Sequence, residues 1–108
     1  MPKRTVVFVG TEDKLYHLQG FHNIFEENDW EVKDCTSIGK AQGQGKVDML
    51  IVWAFSSFYV REYMQWKNRP KAIWCTCSPF DEVAIGAKSQ PMTTPSQLYQ
   101  VVLSIING

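Results

Sequence analysis

The side chains of this chain that could do chemistry fall into a few small groups. Glu12 and Asp13 are adjacent carboxylates, a pair that can contribute to a divalent-cation site. A hard cation takes several oxygen ligands, and the partners expected opposite are only hydroxyls. The same two residues serve equally as first-turn charges that offset a helix macrodipole, a role worth a few tenths of a kcal/mol. Cys75 and Cys77 stand two apart, which on a strand puts both thiols on one face with Thr76 on the other. Such a pair can bind a soft metal or do redox chemistry. A metal would need more ligands, however, and His17 and His22 lie without metal-site spacing on an early helix. A buried cysteine otherwise packs as a small hydrophobe. Neither histidine can be joined to a serine and an acid as a nucleophilic set. The sequence therefore assigns no catalytic residue, and the reading calls for no metal and no cofactor.

Two strand-to-helix turns offer free backbone N–H groups for an anion. These are Gly10-Thr11 and Ser56-Ser57. Neither a Walker pattern nor Gly-x-Gly-x-x-Gly accompanies them, and helix capping is the plainer use. The aromatic residues Trp53, Phe55, Phe58, Tyr59, Tyr63 and Trp66 are dense. Most are expected to fill the core. Trp53, Tyr59, Tyr63 and Trp66 are also candidates for an exposed partner-binding patch, because aromatic residues anchor interfaces. Arg61, Lys67, Arg69 and Lys71 lie among or just beyond them, but the 11 basic and 11 acidic residues cancel. A zero net charge argues against nucleic acid and against an anionic membrane as partner.

The elements that must position these groups read clearly from the chain. Its 108 residues, 44% apolar and 20% charged, suit one folded domain over 1–108 with a core of its own. Three cysteines without framework spacing, no signal-peptide anatomy and no membrane-length apolar run predict a cytoplasmic protein. The run from Asp48 to Phe55 is apolar on both faces, as in a central strand covered by helices on both sides. Thr5–Val9 reads as a first buried strand, ended by Gly10. One helix follows, with Leu15, Leu18, Phe21 (or His22), Ile24 and Phe25 on its apolar stripe and Thr11 as its cap. Trp30–Cys35 alternates as a strand near an edge.

Thr36–Lys46, with Gly39, Gly43 and Gly45, is expected to be one helical turn or a loop. Phe58–Trp66 reads as a helix and Lys71–Cys77 as a strand. Phe80–Lys88 is expected to be a short helix, and Gln90–Thr93 a very short fifth strand at an edge, since Pro91 lacks a ladder donor. Thr94, Pro95 and Gln97 form a capping-box pattern before a last helix whose buried face is Leu98, Val101, Val102, Ile105 and Ile106.

Strands alternating with helices give an α/β fold. The expected form is a three-layer, flavodoxin-like parallel five-stranded sheet of order 2-1-3-4-5, with helices on both faces. Its ligand crevice lies where the first and third strands end. That places Gly10, Thr11, Glu12, Asp13, Trp53, Ser56, Ser57 and Thr76 as the candidate ligand-binding residues.

In element order and size the chain resembles a response-regulator receiver domain over almost its whole length. Val47-Asp48-Met49-Leu50-Ile51-Val52 looks like the strand leading to the phosphoacceptor. Gly86-Ala87, then Thr94-Pro95 and an amphipathic helix, are similar to the end of a receiver. The departures fall on the functional positions. The acidic pair that holds Mg²⁺ in a receiver is replaced by Gly10 and Thr11, with Glu12 and Asp13 following inside the helix turn. The phosphoacceptor aspartate falls at Trp53. The switch hydroxyl survives as Thr76 or is replaced by Cys75, and the lysine falls at Thr93 or Thr94.

The resemblance implies a pseudo-receiver that cannot run aspartyl phosphorylation. Such a module would signal or assemble by binding a protein partner or itself, through the fourth and fifth helices as receivers do. The alternative is a small flavodoxin-like protein that binds, or acts on, an anionic small molecule at the strand ends. The two readings differ in where apolar surface is exposed: on a helix face for the first, in a crevice for the second.

Overall fold

The computed structural model of the chain describes residues 3–53, 57–75, 86–90 and 94–107. The described elements run β1 (Arg4–Val9), α1 (Glu12–His17), α2 (Gln19–Glu27), β2 (Trp30–Cys35), α3 (Ile38–Gln42), β3 (Met49–Val52), α4 (Ser57–Gln65), β4 (Lys71–Cys75), β5 (Lys88–Gln90) and α5 (Pro95–Asn107). All five strands are parallel and lie in the order β2-β1-β3-β4-β5, a flavodoxin-like sheet. The switch in strand order falls between β1 and β3, where Val6 pairs with Met49 and Val9 with Val52.

Side chains alternate across a strand, so each central strand feeds two cores. Val6, Phe8, Met49, Ile51 and Ile73 pack with Leu15, Leu18, Phe25, Leu98 and Val102, which places α1, α2 and α5 on one face. Val7, Val9, Leu50, Val52 and Trp74 pack with Ile38, Ala41, Tyr63 and Trp66, which places α3 and α4 on the other. Every residue of β3 is fully buried, as the unbroken apolar run requires. Behind β3, Asp48 accepts from the Thr5 N–H at 2.8 Å through its carboxylate and returns a bond from its own N–H to the Thr5 carbonyl at 2.9 Å. Those two bonds set the register in which β3 enters beside β1.

The structure refines three of the expected boundaries. The single early helix is two helices, broken at Leu18, whose N–H reaches back to the Leu15 carbonyl. Leu15, Leu18 and Phe25, on both sides of the break and at it, are all buried in one core. Thr36–Lys46 does hold one short helix, α3, capped by Ser37, whose hydroxyl accepts from the Lys40 N–H at 3.1 Å. The chain then passes Gly45 at φ 86°, a conformation that favours glycine.

The largest correction concerns the fifth strand. It is described over Lys88–Gln90 and so begins two residues before the expected Gln90; Lys88 belongs to a strand and not to a helix. Gly86, at φ 77°, turns the chain just before it, and Lys88 pairs with Ile73 at the sheet edge. The rest of the expected helix, Phe80 to Ile85, and the rest of the expected strand, Pro91 to Thr93, lie outside the described residues. The capping box of the last helix forms as read. The Thr94 N–H donates to Gln97 Oε1 at 3.3 Å and the Gln97 N–H donates to Thr94 Oγ1 at 3.3 Å. Among the described residues no helix is long and apolar enough to cross a membrane.

Candidate functional site

The C-terminal ends of β1 and β3 meet around Gly10. Its N–H donates to the Cys35 carbonyl at 3.2 Å, while the Trp53 N–H donates to the Val9 carbonyl at 2.8 Å. These two bonds carry the ladder one residue past the strands on both sides of β1, so Gly10 sits at the divergence where such a sheet holds its crevice. A Cβ on Gly10 would lie 3.6 Å from the Trp53 Cβ and 3.5 Å from that of Lys14, ordinary contact distances.

Among the described residues at this point, Gly10, Thr11 and Trp53 are engaged in building the fold. Thr11, in extended conformation, caps α1: its hydroxyl accepts from the Lys14 N–H at 3.3 Å, and its carbonyl accepts from the Leu15 N–H at 2.9 Å. Glu12 and Asp13 are exposed first-turn charges of α1. Asp13 reaches along the helix toward His17, with Oδ1 3.9 Å from Nε2, an exposed pair of little energetic weight. Among the described residues no three His, Cys, Asp or Glu side chains converge as a metal site. Ser57 opens α4; Ser56 and Thr76 lie outside the described residues.

Trp53 is the residue whose placement decides what this end of the sheet can do. Its side chain is only 4% exposed, in the core shared by β1, β3, α1, α2 and α5. The indole meets Phe21 edge to face, with ring centroids 4.9 Å apart at 65°. Its Nε1 is buried without a hydrogen-bond partner among the described residues. A large apolar group thus closes the space at the end of the central strand on the α1 and α2 side.

Of the two uses read for Trp53, Tyr59, Tyr63 and Trp66, core packing is the one found for Trp53, Tyr63 and Trp66, and these three form no exposed patch. Tyr63 is 1% exposed and Trp66 7%, and Tyr59 is half-buried. Tyr63 donates to the Pro70 carbonyl at 2.6 Å and stacks edge-on against Trp74. Burial pushes its phenol above the ordinary range, partly countered by Arg69 lying over the ring. Tyr59 donates to the Thr36 carbonyl at 3.0 Å and so ties α4 to the segment before α3. The spacing 59, 63, 66 is itself the signal, since i, i+4, i+7 is one helical face and this one lies on the sheet. Among the described residues, the large apolar side chains left exposed are Tyr16, Phe58 and Met64.

Cys75 is buried in the α1–α2–α5 core, where desolvation pushes its thiol up to about 12. Cys35, in the other core, is raised as well, first by burial and then by the neighbouring charge of Asp34. Neither is primed as a thiolate nucleophile. Cys77 lies outside the described residues.

One polar pair was not read from the sequence. His22 Nε2 lies 2.9 Å from Asp34 Oδ1, with the two side chains 12% and 30% exposed, and the imidazole rests 5.0 Å from the Phe8 ring. The pair pins α2 to the edge strand. The period-two spacing of Trp30, Val32 and Asp34, which turns all three toward α2, was the signal that could have found it.

Two cavities open at the opposite end of the sheet. One of about 340 Å³ is lined by Lys71, Ala72, Gly86, Ala87, Lys88 and Ile105. The other, of about 250 Å³, is lined by Arg4, Val47, Asp48, Lys71 and Ile106. The cations there have structural tasks. Lys71 donates to the Ile105 carbonyl at 3.0 Å in the last turn of α5, and Arg4 lies over the Trp30 ring. No model of a known protein family matches this sequence, and no curated protein matches it.

Proposed function

We propose that this chain is a receiver-like signalling or assembly module that works through protein–protein contacts, without aspartyl phosphorylation. The observation that carries the reading is Trp53. It stands where a receiver would carry its phosphoacceptor, and its indole is packed against Phe21 in the core. A group so placed shapes and stabilises the fold; it offers no oxygen to a phosphoryl group. Thr11 supports the same reading, because its hydroxyl is spent on the Lys14 N–H at the start of α1. What the fold then presents to a partner is its outside. Tyr16 on α1 and Phe58 in the first turn of α4 are large, exposed apolar groups, and both helices start at the same end of the sheet.

An amide NMR titration of the whole chain tests the reading. Mg²⁺ with a phosphoryl mimic would be added first, then common nucleotides and sugar phosphates. The amides of Gly10 to Asp13 and of Trp53 to Ser57 should stay where they are. Saturable shifts clustered on those amides would overturn the module reading and leave a small flavodoxin-like protein that binds an anionic molecule at the strand ends.

A further inference from the structure

We infer that β2 is a self-recognition edge, on which a second copy of this chain adds its own β2 antiparallel across a two-fold axis at Val32. This rests on the reading of the chain as an interaction module and adds a second copy as a partner and β2 as a further surface, distinct from Tyr16 and Phe58.

β2 is the terminal strand of the sheet, with β1 on one side and no further strand beyond it among the described residues. The Cys35 carbonyl accepts from Gly10 next to β1, so the peptide groups of Cys35 point inward. Along a strand these groups alternate, so Lys33 and Glu31 also turn theirs toward β1. Trp30, Val32 and Asp34 therefore turn their N–H and C=O groups outward. These three positions are symmetric about Val32. In an antiparallel two-fold pairing centred there, Val32 faces its own counterpart and Trp30 faces the counterpart of Asp34. Every outward peptide group then finds a partner.

The side chains select that same register. Glu31 and Lys33 sit on the α3 side of the sheet, the side of Cys35, with their side chains 55% and 31% exposed. Centring on Val32 places Glu31 of each copy directly opposite Lys33 of the other. They fall in the closely spaced, non-hydrogen-bonded positions, where cross-strand pairs interact most strongly. Within one copy the same two groups already lie 3.9 Å apart, so the assembled edge carries four charges of alternating sign. Shifting the axis by one residue puts Glu31 opposite Glu31, or Lys33 opposite Lys33. The charges that protect this edge against arbitrary strands thus complement one partner in one register. Two six-residue strands make a small interface, so the association is concentration-dependent.

Sedimentation equilibrium from low-micromolar to near-millimolar concentration tests this on four chains: the native one, Glu31→Lys, Lys33→Glu and the double variant. Both positions are on the surface, and circular dichroism confirms that each variant is folded. The native chain should pass from its 12.4 kDa monomer to about twice that mass. Each single variant, with like charges facing across the axis, should weaken the dimer at least about tenfold, and the double variant should regain it. A native chain that stays monomeric throughout overturns the proposal. So does a dimer indifferent to the single changes, or one that the double change fails to restore. None of these three results bears on the crevice, whose titration alone decides the module reading.

Discussion

Replacing Trp53 tests the packing at the end of β3 quantitatively, because two substitutions there should separate widely. Truncation to alanine removes a side chain that is 4% exposed and leaves a cavity beside Phe21. Losses for buried Trp→Ala changes run at about 3–5 kcal/mol. Trp53→Phe keeps most of the ring. It gives up roughly 40 Å² of buried apolar surface, about 1 kcal/mol at ~25 cal/mol per Å². It also removes an indole N–H that is buried without a partner among the described residues. Such an orphaned donor costs about 1–3 kcal/mol, so the two changes nearly cancel. Urea unfolding followed by far-ultraviolet circular dichroism, which does not depend on the tryptophan lost, should place Trp53→Phe within about 1 kcal/mol of the native chain or above it, with an unchanged slope. Trp53→Ala should fall by about 3–5 kcal/mol. A Trp53→Phe variant as unstable as Trp53→Ala would refute the reasoning, since it would mean that the indole N–H makes a bond worth keeping.

Other expectations follow from single contacts. Val52 is fully buried at the end of β3, and Val52→Asp sets an unpaired carboxylate there; the variant should lose its cooperative urea transition at neutral pH. Thr94→Ala removes one half of the reciprocal cap of α5 and should cost about 1 kcal/mol, read as a drop in Tm, with Gln97→Ala adding less on top of it than alone. The Cys75 thiol, pushed up to about 12 by burial, should not react with a thiol reagent in the folded protein near pH 8 and should react once the chain is unfolded. The unfolded thiol ionises first as pH rises, so the stability held by neutral Cys75 is complete below about 9 and is lost between about 9 and about 12. Urea midpoints measured across that window should fall less steeply in Cys75→Ala than in the native chain.

Most of the fold was legible because burial on two faces leaves an unmistakable pattern. The run Met49–Val52 could only be a covered strand, and the Thr94, Pro95, Gln97 signature placed the start of α5 to the residue. The misses have local causes. The break at Leu18 is invisible in a stripe that stays apolar across it, with Leu15, Leu18 and Phe25 all facing one core. The fifth strand was placed too late because Lys88 and Ser89 carry no strand signal of their own. They pair because Gly86 turns the chain beside β4. At the crevice, the elements that bring Gly10, Thr11 and Trp53 together were foreseen, and Thr11 was read as a cap. The fate of Trp53 was not. Its place after the last ladder pair allows the ring to point to solvent or to core, and only the position of Phe21 on α2 decides between them. The same holds for His22, whose partner Asp34 lies 12 residues away on another element.

The end of β3 is closed by a packed indole, and hydrogen exchange of that indole reads this directly. The Nε1–H resonance of Trp53, identified by its loss in Trp53→Phe, would be followed after transfer of the protein into heavy water. Burial beside Phe21 predicts a signal that persists far longer than a free indole's and that does not move when Mg²⁺, phosphoryl mimic or sugar phosphates are added. Exchange within the dead time, or a shift on adding any of those ligands, would contradict the account and show an open, wet crevice at the strand ends.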